Sequence, residues 1–537
     1  MAHGGSAPPC RFDRAKEGGD SGFDVPCWPL GMTSSNLYAL LRSRFPREPG
    51  ALCLLPEAGE ALSYTEVDLQ SARLAGRLHG LGVRPGERIL AQVPKSPAAV
   101  ILYLACLRAG FVYVPLNDAY TDEEVRAFLV DAEPRLLVCD PARAPGLAAA
   151  ARKAGVDHLL DLDAEGGGSL WGDGSDAPLG DVHESVEGDV AALLYTSGTT
   201  GRPKGAMLTH ANLASNALAL HALWGFEAGE RVLHALPLYH AHGLFVALHT
   251  ALLNASPIRL LPRFDAARVV ARLPEAAVFM GVPTHYTRLL ERPELDRACC
   301  RSLRVCVSGS APLLARTHAE FEARTGQRIL ERYGMTETGM ITSNPWRGDR
   351  VPGTVGYALP GVEVRVVGES GAPLPDGEVG VLEVRGPNVC AGYWGMPERT
   401  RQEFRADGFF ITGDLACRAT DGRIRLVGRA RDLVISGGLN VHPAEVEREL
   451  DALPGVRESA VIGAPHPDFG EGVVAVVVSE GARPGEAELR EALSGRLASF
   501  KQPKRIFFQE ALPRNAMGKV RKEELRDLYA GVFEGEP

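Results

Sequence analysis

A stretch rich in glycine and hydroxyl side chains, YTSGTTGRPKG at residues 195–205, directly follows the apolar run 190–194. Glycine lets backbone N–H groups approach an anion closely, hydroxyl groups add hydrogen-bond donors, and lysine adds a positive charge. The pattern therefore indicates a loop that could hold a polyphosphate, although a polar surface turn between a strand and a helix has the same composition. The candidate phosphate-binding residues are Thr196, Ser197, Gly198, Thr199, Thr200 and Lys204.

Two familiar site types do not fit these residues. The loop fails the P-loop motif, because Lys204 is followed by glycine rather than by Ser or Thr. A P-loop kinase or GTPase is therefore disfavoured, and a different loop that wraps ATP phosphates stays open. His240 and His242 form a His-x-His pair, but no third ligand with metal-site spacing accompanies them, so we do not expect a structural metal there.

The composition is that of an ordinary globular protein, with 537 residues, 45% of them hydrophobic, and a net charge of -9. The acidic balance offers no electrostatic footprint for nucleic acid, and no apolar run is long enough to span a bilayer. Ten cysteines are scattered without a Cys-x-x-Cys pair, which indicates reduced thiols. We predict a cytoplasmic protein, with the mitochondrial matrix as the alternative for a eukaryotic source.

Short apolar runs alternate with helical patterns, which predicts α/β layers. One helix has Ser96 as its cap, Pro97 in its first turn and Gly110 at its end. Near residue 430 the pattern changes, and the remaining residues have the size of a small α+β domain. We predict a disordered, Gly- and Pro-rich extension over 1–31, a large N-terminal portion over 32–430 and a C-terminal domain over 431–537.

Five more stretches follow the glycine-rich loop in order: LPLYHAHGL (236–244), ERYGMTET (331–338), TGD (412–414), GRARDLVISGG (428–438) and PRNAMGKV (513–520). Together the six resemble the adenylate-forming acyl-CoA synthetase superfamily, and the likeness runs from Met32 to the C-terminus. GVPTHYTRLL, SGSAPLL and MTETGMITSNP are most similar to its malonyl-CoA synthetase branch. The resemblance implies the acyl-CoA synthetase/luciferase-like fold: several α/β subdomains followed by a small, mobile α+β domain.

The resemblance also implies a two-step reaction that joins malonate, and in part methylmalonate, to coenzyme A. A carboxylate attacks the α-phosphate of Mg-ATP and expels pyrophosphate, leaving an acyl-adenylate. The small domain then rotates, and the thiol of coenzyme A displaces AMP. Such chemistry needs positioning and charge neutralisation more than covalent help from the protein.

On the nucleotide side, Thr336 and Glu337 match the family's triphosphate and Mg²⁺ contacts, with Thr199 and Glu337 as metal ligands, because magnesium prefers hard oxygen ligands. Tyr333 would stack on adenine, and Asp414 would accept the ribose hydroxyls, since an ionised carboxylate is acceptor-only. Taken singly, these residues equally fit a helix cap, a core tyrosine and a turn aspartate. The resemblance adds Ser310, Glu331, Arg332 and Arg429 to the nucleotide contacts.

On the acyl side, Lys519 would contact the acyl carboxylate and the α-phosphate, although a solvated surface lysine is the default reading of any single lysine. His240 and His242 would line the acyl channel. Gly437 and Gly438 would line the tunnel for the pantetheine arm of coenzyme A, where only small residues let a thin chain pass. The predicted catalytic residues are Lys519, Thr336, Glu337 and His242.

Arg288 is the predicted selector of the acid. VFMGV predicts a buried strand, and Thr284 after Pro283 can cap a helix, so Arg288 falls in early turns, where the helix dipole mildly disfavours a cation. An unfavourable charge invites a functional explanation. By resemblance, Arg288 holds the distal carboxylate of malonate, for which a planar guanidinium is suited. The alternative is a surface arginine paired with Glu291; Met340 would help limit the size of the acid.

Three other functions stay open at this point. The nearest is a synthetase of the same fold for another small, medium-chain or aryl acid. The others are an adenylation enzyme that loads a carrier protein and a silent nucleotide-binding protein. We expect small-molecule substrates only, namely malonate, ATP and coenzyme A, with Mg²⁺, and a monomer or homodimer without nucleic-acid partners.

Overall fold

The structure is a computed structural model that describes residues 34–196, 203–436, 439–467, 469–515 and 518–533. Helices and strands alternate along these ranges, which confirms the predicted α/β fold class. None of the helices in the described ranges is long and apolar enough to cross a membrane. Outside the described residues lie the predicted extension 1–31 and the predicted site residues Ser197, Gly198, Thr199, Thr200, Gly437 and Gly438.

The strands are short, and we number them in chain order. They are β1 (Leu52–Pro56), β2 (Leu62–Ser63), β3 (Arg88–Gln92), β4 (Val112–Pro115), β5 (Leu136–Cys139), β6 (His158–Asp161), β7 (Val190–Thr196), β8 (Lys204–Thr209), β9 (Val232–His234), β10 (Ile258–Leu260), β11 (Val278–Gly281), β12 (Val305–Ser308), β13 (Ile329–Met335), β14 (Gly339–Ser343), β15 (Tyr357–Ala358), β16 (Glu363–Val367), β17 (Val379–Arg385), β18 (Phe410–Arg418), β19 (Ile424–Arg429), β20 (Val434–Ser436), β21 (Leu439–Val441), β22 (Val456–His466), β23 (Gly470–Ser479) and β24 (Arg505–Gln509).

The α-helices are numbered in the same way, and a π-helical segment, His242–Ala247, precedes the seventh. They are α1 (Leu37–Arg42), α2 (Tyr64–Gly80), α3 (Pro97–Ala109), α4 (Asp122–Ala132), α5 (Ala144–Lys153), α6 (His210–Leu223), α7 (Leu248–Leu253), α8 (Ala266–Arg272), α9 (Pro283–Leu290), α10 (Ala315–Thr325), α11 (Pro397–Glu403), α12 (Pro443–Asp451), α13 (Glu486–Ser494) and α14 (Lys522–Leu528).

Four sheets contain these strands. The largest has the order β15-β14-β13-β12-β11-β9-β10-β1-β2, and its strands from β13 to β1 run parallel. The second has the order β6-β5-β3-β4-β7-β8, parallel except for β8. The third is the antiparallel sheet β16-β17-β18-β19, and the fourth contains β20 to β24. The predicted boundary near residue 430 falls between the third and fourth sheets, and it stays a prediction.

Helix α3 shows why the two large sheets stay together. Its cap is Ser96, whose hydroxyl accepts the Ala99 N–H at 3.2 Å; Pro97 opens its first turn, and Gly110 ends it at φ 70°. These three features confirm the sequence prediction. Residues 98–109 are all buried, because the helix belongs to the core cluster that contains side chains of both large sheets. A helix that is apolar on every side belongs inside a protein rather than on its surface.

The β7–β8 ribbon positions the glycine-rich loop. Thr196 pairs with Lys204 at the end of this antiparallel pair, so the loop leaves and re-enters the sheet at one point. On the other side of the ribbon, the Met207 N–H donates to the Gly392 carbonyl at 2.9 Å, and the Trp394 N–H donates to the Gly205 carbonyl at 2.8 Å. These bonds bring residues 390–394 against β8, about 190 positions apart in the chain.

The C-terminal sheet buries both of its faces. Alternate residues of β23 enter two different clusters: Val473, Ala475 and Val477 pack with α12, and the residues between them pack with α14. This follows from the two-residue side-chain period of a strand. The sequence PAEVERELDAL at 443–453 predicts a helix with Val446 and Leu450 on one stripe, and the structure confirms it, because both residues lie in the first cluster. Arg316 of α10 joins the two portions by donating to the Val456 carbonyl at 2.8 Å.

Candidate active site

The candidate residues gather where parallel strands of the largest sheet end. Neighbouring strands β9, β11, β12 and β13 all point the same way, so their carboxyl ends meet at one edge, where open α/β sheets bind ligands. The segments that follow them carry the predicted histidines, Ser310 and the Tyr333–Glu337 stretch. The third sheet adds Asp414 and Arg429, and the C-terminal portion adds Lys519.

Asp414 and Arg429 face each other because β18 and β19 place them in register. Arg429 Nε lies 2.7 Å from Asp414 Oδ1, and the Tyr333 hydroxyl donates to Asp414 Oδ2. Burial, followed by the neighbouring Asp414 charge, raises the pKa of Tyr333 well above its usual value. Tyr333 belongs to a core cluster with Ile341 of β14 and with residues of the third sheet, such as Leu382 and Phe410. The structure therefore brings the predicted ribose residues together, while adenine stacking by Tyr333 stays a prediction.

A second group links the phosphate loop to Glu337. The Tyr393 hydroxyl lies 3.0 Å from Glu337 Oε1 and 2.9 Å from Glu403 Oε2, and Lys204 Nζ lies 3.2 Å from Glu403 Oε1. A phenol carries one proton and cannot donate it to two carboxylates at once. One of the two carboxyl groups therefore has to hold a proton itself. This agrees with the raised pKa of Glu337, which is caused by burial and by the charge of Glu403. Sequence analysis missed Tyr393 and Glu403, since neither stands in a recognised motif.

Arg332 and Tyr333 are neighbours in β13, so their side chains leave opposite faces of the strand. Arg332 was expected at the nucleotide, but its guanidinium lies over Gly309, where a Cβ atom would come within 2.5 Å of Arg332 Cζ. Arg332 is 3% exposed, and its Nε and Nη2 have no hydrogen-bond partner among the described residues. Burial lowers its pKa to about 9. A buried, unpaired guanidinium of this kind fits an anion.

His242 lies beside this guanidinium. It is 2% exposed, its Nδ1 is 3.5 Å from the Ser310 hydroxyl, and its Nε2 has no partner within the described ranges. Burial, and then the charge of Arg332, lower the pKa of His242 well below its usual value, so the ring is neutral near pH 7. Ser310 has φ 71°, a left-handed conformation that costs a non-glycine residue about 1 kcal/mol or more. Ser310 thus lies beside His242, and its predicted contact with the nucleotide stays a prediction.

Lys519 reaches this site from the C-terminal portion. The residue is exposed to solvent, yet neighbouring protein groups surround its ammonium group. The desolvation that they cause, followed by the charge of Arg429, lowers the pKa of Lys519, while Asp414 and Glu337 act in the opposite direction. Its charge also helps lower the pKa of His240 to about 4, after burial. Lys519 therefore stands between the nucleotide residues and the histidines.

The loop that carries Lys519 packs against the first turn of α9. Gly518 has φ 73°, and a Cβ atom built on it would lie 2.7 Å from Thr284 Oγ1 and 3.1 Å from Thr284 Cγ2. A side chain at position 518 would therefore collide with α9 in this arrangement of the two portions. The close approach explains why a glycine precedes the lysine.

The dipole argument for Arg288 is wrong. Helix α9 is only eight residues long, it is capped by Val282 rather than Thr284, and Arg288 lies in its last turn. A cation is favourable at that end. Arg288 is exposed, and its charge is the second cause, after burial, of the lowered pKa of His285 on the same helix, about 3. The Arg288 guanidinium is thus near His285, and its contact with a distal carboxylate stays a prediction.

Met340 is held in place by Asn216. It is buried, and its backbone N–H and C=O are both bonded to the Asn216 amide, at 3.0 and 2.8 Å. The cavity between Asn216, Phe245 and Thr336 holds only about 10 Å³, room for about one water molecule. The remaining predicted residue, Glu331, accepts the Gly353 N–H at 3.1 Å, and burial raises its pKa to about 8.

Known proteins share this architecture. Residues 41–394 match the AMP-binding enzyme family, and residues 445–519 match the AMP-binding enzyme C-terminal domain. A feruloyl-CoA synthase of an Amycolatopsis species is 39% identical over 476 residues, which cover 88% of this chain and 94% of that protein. The mitochondrial malonate–CoA ligase of Mus musculus is 36% identical over 503 residues, 86% of this chain and 85% of that one. The ATP-bound crystal structure of MatB from Rhodopseudomonas palustris is 50% identical, with a TM-score of 0.91, and the likeness covers 93% of this chain and 100% of that one.

We expect Gly518→Ala to slow the first half-reaction by roughly tenfold or more, because overpacking of this kind costs about 1–3 kcal/mol. ATP–pyrophosphate exchange measures this step. Gly481→Ala is the matched control, since Gly481 has φ 72° in the same portion but nothing within 4 Å. The double variant with Thr284→Ala should recover exchange, because both close atoms are removed. Equal loss in the Gly518 and Gly481 variants would contradict the packing argument.

Glu331→Gln should stabilise the protein at alkaline pH only. The unfolded carboxyl group ionises near 4.5, whereas the buried one holds its proton to about 8, so the wild type loses stability relative to the variant as pH rises between these values. The difference in unfolding free energy should reach about 2–4 kcal/mol at about pH 8 and nearly vanish at about pH 5. Melting temperatures at both pH values measure it, with the exposed Glu369→Gln as control. A difference independent of pH would refute the shifted titration.

Proposed function

The chain belongs to the AMP-binding enzyme family and is an AMP-forming acid–thiol ligase that uses ATP and coenzyme A, and we propose that its acid is malonate. The proposal rests chiefly on the unpaired guanidinium of Arg332. An acyl group with a negatively charged far end would neutralise it, whereas acetate or a fatty acid would leave it unpaired after the near carboxylate is joined to AMP. Leaving a buried charged group unsatisfied costs roughly 1–3 kcal/mol or more.

The size of the site also favours a short acid. Beyond Thr336 the cavity has room for about one water molecule, and Met340 and Phe245 occupy the space where a longer acyl group would run. The likeness to feruloyl-CoA synthase makes aryl acids the competing class. An aromatic ring would require Met340 to move away from Asn216, which breaks the two hydrogen bonds between them. Methylmalonate adds one methyl group, worth only about 1–3 kcal/mol, so we expect it to be accepted in part.

The residues divide the work as follows. Arg332 binds the distal carboxylate from the buried side, with Arg288 approaching from α9. Lys519 orients the attacking carboxylate and neutralises negative charge that develops on the phosphate, which is where fixed charges contribute most. Asp414 holds the ribose, and His242 remains neutral so that it can orient the acid by hydrogen bonding.

Magnesium fits the acidic side of the site. The buried carboxylate of Glu337 is the type of oxygen ligand this ion prefers, and a cation would offset the cost of ionising it there. Glu337 and the predicted Thr199 would hold the ion, which supplies charge neutralisation at phosphate oxygens when bound. A cytoplasmic location and a monomer or homodimer stay predictions.

A panel of acids tests the function. With ATP, coenzyme A and magnesium supplied, AMP release should be fastest with malonate, slower with methylmalonate, and at least about tenfold slower with acetate, succinate, octanoate, benzoate and ferulate. Each rate is taken as kcat/KM from initial velocities. Faster turnover of ferulate or benzoate than of malonate would overturn the assignment and leave an aryl-acid ligase.

Arg332→Met should remove the preference for the diacid. We expect kcat/KM for malonate to fall by about 100-fold, since a lost charge-assisted pair is worth about 1.5–3 kcal/mol and its partner is left unpaired. The preference of malonate over acetate should shrink, and the KM for ATP should change little. Arg288→Met should have a smaller effect in the same direction because Arg288 is exposed, and exposed Arg301→Met is the control. If malonate is still preferred as strongly in the Arg332 variant, that guanidinium does not select the acid.

A further inference from the structure

Lys95 is a lysine whose position the reaction does not explain. It lies just beyond β3 in the second sheet, yet it contacts a residue of the largest sheet. Its Nζ lies 2.9 Å from His234 Nδ1 and 2.9 Å from the His234 carbonyl oxygen, and it forms no ion pair with a carboxylate in the described ranges. Burial lowers its pKa well below the usual value. A lysine that is buried without an acidic partner, at a cost in free energy, calls for a specific reason.

The Gly243 carbonyl fixes the tautomer of His234. A carbonyl oxygen can only accept a hydrogen bond, so His234 Nε2, which lies 2.9 Å from it, carries the ring proton and donates. Nδ1 of the neutral ring then accepts from Lys95 Nζ. The three groups form one directed chain: Lys95 donates to His234, and His234 donates to Gly243. Burial, followed by the Lys95 charge, lowers the pKa of His234 to about 3, so the ring stays neutral.

Gly243 is the residue on whose carbonyl the π turn closes. It is the second residue of the π-helical segment, and its carbonyl also accepts the Leu248 N–H, five residues ahead. A Cβ atom at Gly243 would lie 2.0 Å from the Pro237 carbonyl oxygen, so a glycine is required there. The widened π turn is less favourable than an α turn and is commonly found at functional sites. The bond from His234 supports the carbonyl on which this turn closes.

His242 immediately precedes Gly243, and its ring faces Ser310 and the Arg332 charge. If the π turn relaxed to an α turn, the residues before it would rotate relative to those after it, and the His242 ring would leave this position. Lys95 and His234 therefore influence the position of His242 through the Gly243 carbonyl, without contacting the acid themselves. Their contact also ties the second sheet to the largest one beside the site.

We propose that Lys95 and His234 are positioning residues for the acid half of the reaction: together they hold the π turn that presents His242 to the acyl group. This rests on the predicted acyl role of His242, but not on malonate being the acid. Neither residue touches the reacting atoms in this assignment. They set the affinity for the acid without setting the affinity for ATP.

The kinetic test compares four variants. Lys95→Met and His234→Leu should each raise the KM for the acid by about tenfold while the KM for ATP stays within about twofold, and the double variant should be no worse than either single one, because both break the same chain. His234→Gln should keep near wild-type kinetics, since an amide can accept from Lys95 and donate to Gly243. The acid used is whichever gives the fastest turnover in the panel, so failure of the malonate assignment does not affect this test.

A spectroscopic readout separates positioning from general loss of structure. With ¹⁵N-labelled histidine, the wild-type His234 resonance should report the Nε2–H tautomer, and in Lys95→Met the Nδ1 chemical shift should move because that nitrogen loses its hydrogen bond. Melting temperatures establish that each variant folds; if Lys95→Met does not, the comparison of His234→Gln with His234→Leu still decides the matter. The proposal is overturned if the KM values for acid and ATP rise together, if Gln and Leu at position 234 behave alike, or if the wild-type ring carries its proton on Nδ1.

Discussion

Burial of the Arg332 guanidinium beside neutral histidines is the constraint around which this part of the site is built. Moving a charge out of water costs several kcal/mol unless an opposite charge and hydrogen bonds compensate it. The described chain supplies the packing, including Gly309 beneath the guanidinium, but no acceptor for Nε or Nη2. The nearby rings of His242 and His285 also have lowered pKa values, so they do not add to the positive charge near neutral pH. A single anion would satisfy this arrangement better than any rearrangement of the side chains around it.

The nucleotide side has the opposite character. Asp414, Glu337 and Glu403 concentrate negative charge. Arg429 pairs with Asp414, Lys204 and Arg399 pair with Glu403, and the Tyr393 hydroxyl lies between the two glutamates, only one of which can accept its proton. Lys519 lies between the two regions, and groups of both signs act on its pKa. Its position therefore depends on a balance of charges that a substrate would change. This explains how a residue on a separate portion of the chain can respond to what the site contains.

Close backbone packing makes the arrangement specific. Gly243, Gly309 and Gly518 each have a neighbouring group where a Cβ atom would stand, and each lies next to a predicted site residue or beneath one. Parallel strands deliver the segments to one edge, and these glycines let the segments come within contact of one another. The same close packing leaves the cavity between Asn216, Phe245 and Thr336 with room for only about one water molecule.

The sequence by itself was sufficient for the α/β class, the capped helix α3, the stripe on α12 and the family, because caps, side-chain periods and ordered motifs are local properties of the chain. It also identified Asp414, Arg429, Glu337 and Lys519 as members of one site. Only the tertiary structure decided which face each residue serves. Arg332 lies beside His242 rather than beside Asp414 because strand alternation turns it away from Tyr333, and Arg288 is at the favourable end of its helix because α9 stops after eight residues. Tyr393, Glu403, Lys95 and His234 could not be found from local pattern, since their roles arise from contacts between segments that are 56 to 199 residues apart in the chain.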